Sequence, residues 1–99
     1  MKVAFHPEAL VEAEESVIYY ERRCEGLGAR FREELENRLA VILADPFRWR
    51  LRLDGARRVN FDIFPHYVSY VVRENIIWLV TVSHGHRKPG HWKKRLAGL

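Results

Sequence analysis

The sequence predicts an α+β fold, in which an antiparallel helical hairpin packs on one face of a small, mainly antiparallel sheet, in the order β-α-α-β-β-β. Three observations predict it. Residues 7–44 carry apolar side chains at helical spacing, interrupted once by Gly26 and Gly28. Beyond Arg57 the period changes to two. Two β-branched and aromatic runs are then separated by only Glu74-Asn75, the length of a two-residue hairpin loop.

Each element follows in order. Lys2 to Phe5 is short and compatible with a strand. Pro7 fits a first helical position, where a missing N–H costs nothing, and Glu8 and Glu12 suit the positive end of a helix dipole. From Pro7 to Glu25, Leu10, Ala13, Val17, Tyr20 and Cys24 form one stripe, widened by Val11 and Ile18, and the stripe predicts a buried Cys24. Gly26 and Gly28 read as a cap and turn. A second helix runs from Leu27 to Ala44, with Leu27, Phe31, Leu35, Leu39 and Ile42 on one face and a Glu34–Arg38 pair on the exposed side. Asp45-Pro46 stops it. Phe47 to Gly55 is a basic loop or short strand closed by an Asp54-Gly55 turn. Val59, Phe61 and Ile63 then alternate with Arg58, Asn60 and Asp62. Tyr67 to Arg73 and Ile76 to Ser83 are the last two strands. Ile76 to Val82 is apolar on both faces, which predicts a central position. The basic tail, Ser83 to Leu99, ends in a short helical turn.

At 99 residues, 47% hydrophobic and 30% charged, the chain is sized for one domain with one modest core, not for a multidomain enzyme or a disordered tail. No apolar run approaches the 18 or so residues of a membrane span, and no signal peptide is evident. A single cysteine predicts a reducing compartment, the cytoplasm. Charge is uneven. Residues 1–46 hold six Lys/Arg and ten Asp/Glu, whereas residues 47–99 hold eleven and three, giving −4 and +8. The basic half calls for an acidic partner, nucleic acid or protein, unless the two halves pair across the fold.

The segment SHGHRKPGHWKKRL holds the richest chemistry. His84 and His86 share a face if the strand continues, and either can transfer protons near neutral pH. Arg87 and Lys88 can hold phosphate, and Trp92 can stack on a base or pack back onto the core. His84, His86 and His91 without a nearby acid make a weak metal set, so no metal or other cofactor is expected. Arg57 and Arg58, and the trio Arg48, Arg50 and Arg52, are placed for phosphates or acidic partner residues, or simply guard an edge. Trp49 is expected in the core. Ser69 and Ser83 lack a nearby acid, and Glu8, Glu12, Glu14 and Glu15 read as a solvated face.

The segments FHPEALVEAEESVIYYE, EGLGARFREELE, ILADPFRW, RRVNFDIFPHYVSYVV and VTVSHGHRKPGHWKKRL, in this order, resemble the RelE/ParE toxin superfamily, including its tail pattern of a His, an Arg-X-Pro and a Trp. The resemblance implies the β-α-α-β-β-β fold reached above and a cytoplasmic, prokaryotic toxin of a type II pair, neutralised by a cognate antitoxin whose extended segment wraps it. RelE-like members cut mRNA on the ribosome; ParE-like members, the plasmid-stabilisation type, poison DNA gyrase. Tyr67, after His66, takes the place of an arginine usual in the ribonucleases, and Trp92 that of a tyrosine. Arg87 matches the retained tail arginine. Arg57 and Arg58 match a pair common in ParE-like members, so the resemblance leans to that branch. If the chain is instead a ribonuclease, His84, His86 and Arg87 are its expected catalytic residues. A third option is a partner-binding domain without toxicity. The hairpin offers the antitoxin a groove beside Tyr20, Arg23, Phe31 and Leu35, and Arg57, Arg58 and Arg87 would meet an acidic antitoxin.

Overall fold

The computed structural model describes residues 1–88 and 90–99; Pro89, part of the Arg-X-Pro element, lies outside the described residues. The elements are β1 (Lys2–Phe5), α1 (Pro7–Arg23), α2 (Leu27–Ala44), β2 (Arg57–Asn60), β3 (His66–Arg73), β4 (Ile76–His84) and a closing 3₁₀ segment, Lys93–Gly98. The strands form one sheet in the order β1-β4-β3-β2. β4 therefore has a neighbour on each side, as its continuous apolar run requires. β1 runs parallel to β4, and the other pairings are antiparallel. Glu74 and Asn75 both adopt positive φ, 52° and 64°, the backbone of a tight two-residue hairpin. No helix among the described residues is long and apolar enough to cross a membrane.

The hairpin of helices is held at its turn by one side chain. Gly26 occupies the N-cap of α2 and has no side chain to accept the free N–H groups. The Glu21 carboxylate accepts from Gly26 N and Gly28 N, both at 3.0 Å. A Cβ at Gly28 would lie 2.6 Å from the Val17 carbonyl oxygen, so the helices cross where only glycine fits.

Several expected positions are corrected. The sheet-facing side of α1 is turned from the predicted stripe: Ala9 and Ala13 are buried, whereas Leu10, Val11 and Ile18 are exposed. The small alanines are what α1 presents inward. Cys24 is exposed, because the helix ends at Arg23 and Cys24 takes extended backbone. Glu34 is buried, not paired on the outside with Arg38. It accepts from Asp62 N at 2.7 Å and Ile63 N at 3.0 Å, while Arg38 lies 3.6 Å from Asp62. Once the chain leaves the β2 ladder these N–H groups need an acceptor, and Glu34 supplies it. β2 accordingly ends at Asn60, and Ile63 is exposed.

The two sheet faces are covered differently. On one, α1 and α2 close over a cluster including Phe31, Leu35, Ile42, Tyr70, Ile77 and Leu79, with Trp49 packed against it as expected. On the other, Ala56, Val71, Val80 and Trp92 form a smaller cluster with Leu96 and Leu99, so the tail folds back across the sheet. β4 carries an extra residue at Val80: Ser69 faces Thr81, but Tyr70 faces Leu79.

Side chains complete the β4 edge where β1 ends. The β1 ladder stops at Phe5 opposite Leu79. Beyond it, Glu12 Oε1 accepts from Val82 N at 3.1 Å, and Arg95 Nη1 donates to the Val80 carbonyl at 2.8 Å. Arg95 also grips Glu12 through two nitrogens, at 2.8 and 3.1 Å. This bidentate pair fastens the tail to α1 and the sheet together.

Candidate functional site

The richest polar concavity lies where α1 crosses the ends of β3 and β4. Its geometry follows from strand register. Counting outward from the Glu74-Asn75 loop sets His66 opposite Ser83, and the extra residue at Val80 moves the partner to His84. The two rings lie 5.3 Å apart between centroids. The strand ends at His84, so His86 does not share its face by alternation. The chain turns instead, His86 N donates to His84 Nδ1 at 3.1 Å, and the rings stack at 4.7 Å.

His66 is almost enclosed. Phe31 and Tyr20 meet its ring edge-on at 4.9 and 5.7 Å, and its Nδ1 has no hydrogen-bond partner. Burial, helped by the neighbouring His84, lowers its pKa from 6.5 to about 4. His66 is therefore neutral at physiological pH. A cavity of about 540 Å³ opens beside it, lined by Glu15, Ser16, Tyr19, Tyr20, Arg23 and His84 among others. Arg23 lies over the Tyr19 ring at 4.7 Å. An adjoining cavity of about 200 Å³ is reached by Glu12, Ser83 and Arg87.

Behind this cleft runs a buried polar chain that links the tail to α1. His91 Nδ1 donates to the Lys88 carbonyl at 3.0 Å, and Ser83 Oγ lies 3.1 Å from His91 Nε2. Ser83 Oγ bonds Thr81 Oγ1, which donates to Glu12 Oε1 at 2.8 Å. Burial works to raise the Glu12 pKa, but bonds from Arg95, Thr81 and Val82 N–H outweigh it and hold the carboxyl below its ordinary value. The same carboxylate raises the Arg95 pKa against the opposing effect of burial. Ser83 thus has a histidine and an acid nearby. It is nevertheless no hydrolase triad: Ser83 is buried, and a carbonyl occupies the place the acid would take at Nδ1.

The predicted site residues divide into three groups. His84, His86 and Arg87 gather at the cleft, with Tyr20 and Arg23 on its α1 side. Phe31, Leu35 and Trp92 lie in the core, only 0, 6 and 1% exposed. The first two therefore form no groove wall, and Trp92 offers no stacking surface; it packs on the sheet instead. Arg48, Arg50, Arg52, Arg57 and Lys88 lie elsewhere on the surface. Arg58, the second residue of β2, joins the first group, lining a cavity with His66, His84 and His86; it lies 3.6 Å over the Tyr67 ring and donates to Asn60 Oδ1 at 3.2 Å. Sequence reasoning missed Glu12, Glu15, His66, His91 and Arg95. Hairpin counting alone could have flagged His66, one residue from His84; nothing local marks Glu12 as the partner of Arg95, 83 positions away. Among the described residues no group of three His, Cys, Asp or Glu is placed to hold a metal ion.

The family model described as the ParE toxin of the type II toxin–antitoxin system, parDE, matches residues 3–89. The chain belongs to the ParE toxin family. It is thus a type II toxin of the RelE/ParE superfamily, with an antitoxin as partner, and its helical hairpin on a four-stranded sheet fits that fold. No curated protein matches the chain. The match covers both helices, all four strands and the cleft histidines, and ends before His91, Trp92 and Arg95. The segment that fastens the tail therefore lies beyond the part this ParE toxin shares with the family model.

Proposed function

We propose that this ParE toxin arrests growth by binding DNA gyrase, without chemistry of its own, and acts in the cytoplasm. The observation that carries the reading is that His66, the ring that His84 faces across the β3–β4 pair, is enclosed by Phe31 and Tyr20 and offers no exposed acid or base to a substrate. His66 is neutral by burial. His84 Nδ1 accepts the His86 backbone N–H, so that nitrogen is engaged by the chain and not by a substrate. Cutting an RNA phosphodiester by acid–base catalysis needs a proton donor facing an acceptor across the scissile bond. The burial of Trp92 further supports the binding reading, since the tail then presents no aromatic face to a nucleotide.

One feature favours ribosome-dependent mRNA cleavage as the second reading. The smaller cavity gathers the Glu15 carboxylate, the His84 imidazole and the Arg87 guanidinium. Those three groups would serve as base, acid and phosphate clamp. Controlled expression without antitoxin separates the two. On the gyrase reading DNA synthesis stops while translation continues, purified toxin inhibits supercoiling, and the His84→Ala, His86→Ala, Arg87→Ala triple variant still arrests growth. A prompt stop in translation with cleaved mRNA, lost in His84→Ala, would establish the ribonuclease. A folded wild-type protein that arrests neither would leave partner binding alone.

A further inference from the structure

A second concave surface lies at the other end of β3 and has a different chemistry. It is a groove of about 230 Å³ between the loop after α2 and the last residues of β3, lined by Phe47, Leu51, Arg57, Val71, Val72 and Arg73 among others. The groove begins at Tyr70, four residues along β3 from His66, so at about 3.3 Å per residue roughly 13 Å of strand separates it from the histidine cleft. Phe47, Leu51 and Leu53 are left 58, 62 and 108% exposed. Arginines stand among and around them: Arg48, Arg50 and Arg52 in the loop, Arg57 over the Phe47 ring at 5.2 Å, and Arg73 at the far rim. None of these five makes an ion pair among the described residues. The two nearest loop acids serve the backbone: Asp45 accepts from Phe47 N and Asp54 from Ala56 N.

We propose that this groove is a docking site for the antitoxin, taking a segment with an aliphatic or aromatic anchor flanked by carboxylates. The inference rests on membership of the toxin–antitoxin family and not on the choice of gyrase as target. Charge and apolarity together select the occupant. Arg57 and Arg73 donate to the Trp49 and Leu96 carbonyls, but none of the five guanidinium groups meets a carboxylate among the described residues, so their charge calls for anionic groups. Nucleic acid would satisfy them but would leave Phe47, Leu51 and Leu53 wet. An amphipathic acidic segment of protein satisfies the charge and removes the apolar surface from water. The arginines then set the association rate and its salt dependence, and the apolar anchor sets the lifetime of the complex.

The test uses the full-length toxin and the antitoxin encoded beside it, with association and dissociation rates measured at several salt concentrations. Arg48→Gln/Arg50→Gln/Arg52→Gln is expected to lower the association rate about tenfold at low salt and flatten its salt dependence. Leu51→Ser is expected to raise the dissociation rate about tenfold. Arg48, Arg50 and Leu51 are exposed and Arg52 is half-buried, and an unchanged unfolding midpoint shows that the fold survives. Unchanged rates in both variants would overturn the proposal. So would any of three other results: loss of duplex-DNA binding instead, loss of self-association instead, or loss of gyrase inhibition with antitoxin binding intact. The last would make the surface target-facing and leave the gyrase reading standing. Conversely, a toxin that never inhibits gyrase but shows the expected rate changes would overturn that reading and keep this one.

Discussion

The two faces of the sheet are closed by different physics. The helix-covered face is sealed by large apolar side chains, Phe31, Ile42, Ile77 and Leu79, all at 0% exposure. The tail that covers the other face is held by a smaller cluster around Trp92, with Trp78, Leu96 and Leu99 packed against it, and at the β4 edge by a bidentate ion pair between Arg95 and Glu12 of α1. The first closure is non-directional and gains with every Å² buried. The second depends on a few groups meeting at fixed angles and on the charge each carries. A 99-residue chain has only enough apolar surface for one generous core. The second face is therefore covered economically, and it is the one that should yield to a single substitution.

The largest expected effect sets the scale for that contrast. Phe31→Ala removes a ring that touches Tyr20, Phe61, Phe64 and His66. It should cost about 3–5 kcal/mol of global stability in denaturant titrations. Arg95→Met comes next, at about 2–3 kcal/mol, because it takes the cation from Glu12, which keeps only the Thr81 and Val82 donors, and leaves the Val80 carbonyl without the Arg95 donor. Its loss should be local: amide exchange rises in residues 91–99 and at Val82, while α2 and the β3–β4 hairpin keep their protection. Global unfolding in Arg95→Met, with protection lost equally in α2, would erase the distinction between the faces.

The contrast also explains what the sequence discloses. The hairpin of helices and the β3–β4 hairpin were legible because they are written locally, in apolar spacing, Gly26-Leu27-Gly28 and Glu74-Asn75. The rotation of α1 was not, since Ala9 and Ala13 carry little hydrophobic signal beside Leu10, Val11 and Ile18. Nor was Glu34 readable as buried or Glu12 as half-buried: a glutamate on a helix looks solvated until a distant backbone presents its N–H groups. At the candidate site His84, His86 and Arg87 were visible as a cluster in one segment. His66 joined them only through register, and the bulge at Val80 that completes the pairing has no turn residue to announce it. Trp92 could be read as either exposed or packed. The Glu12–Arg95 pair that decides between them spans nearly the whole chain.

The smallest effect sharpens the comparison by pH, and its sign follows from which state binds the proton. His66 belongs to the helix-covered face, where burial holds its pKa near 4 against 6.5 in the unfolded chain. Between those values the unfolded chain takes up a proton that the folded one refuses, so stability falls as pH drops below 6.5. By pH 5.5 the loss is about 1 kcal/mol. Glu12 acts on the other face and later: its lowered pKa contributes stability that is present above the ordinary carboxylate range and is lost as pH falls through it. Acid should therefore weaken the protein in two stages, the aromatic box around His66 first and the tail fastening second. Urea midpoints measured from pH 7 to pH 3.5 separate them. In His66→Phe the slope between pH 6.5 and 4.5 should vanish, while the loss at lower pH, through the carboxylate range, remains. If His66→Phe keeps the upper slope, that slope arises in another group, and the helix-covered face is then as indifferent to protons as its apolar lining implies.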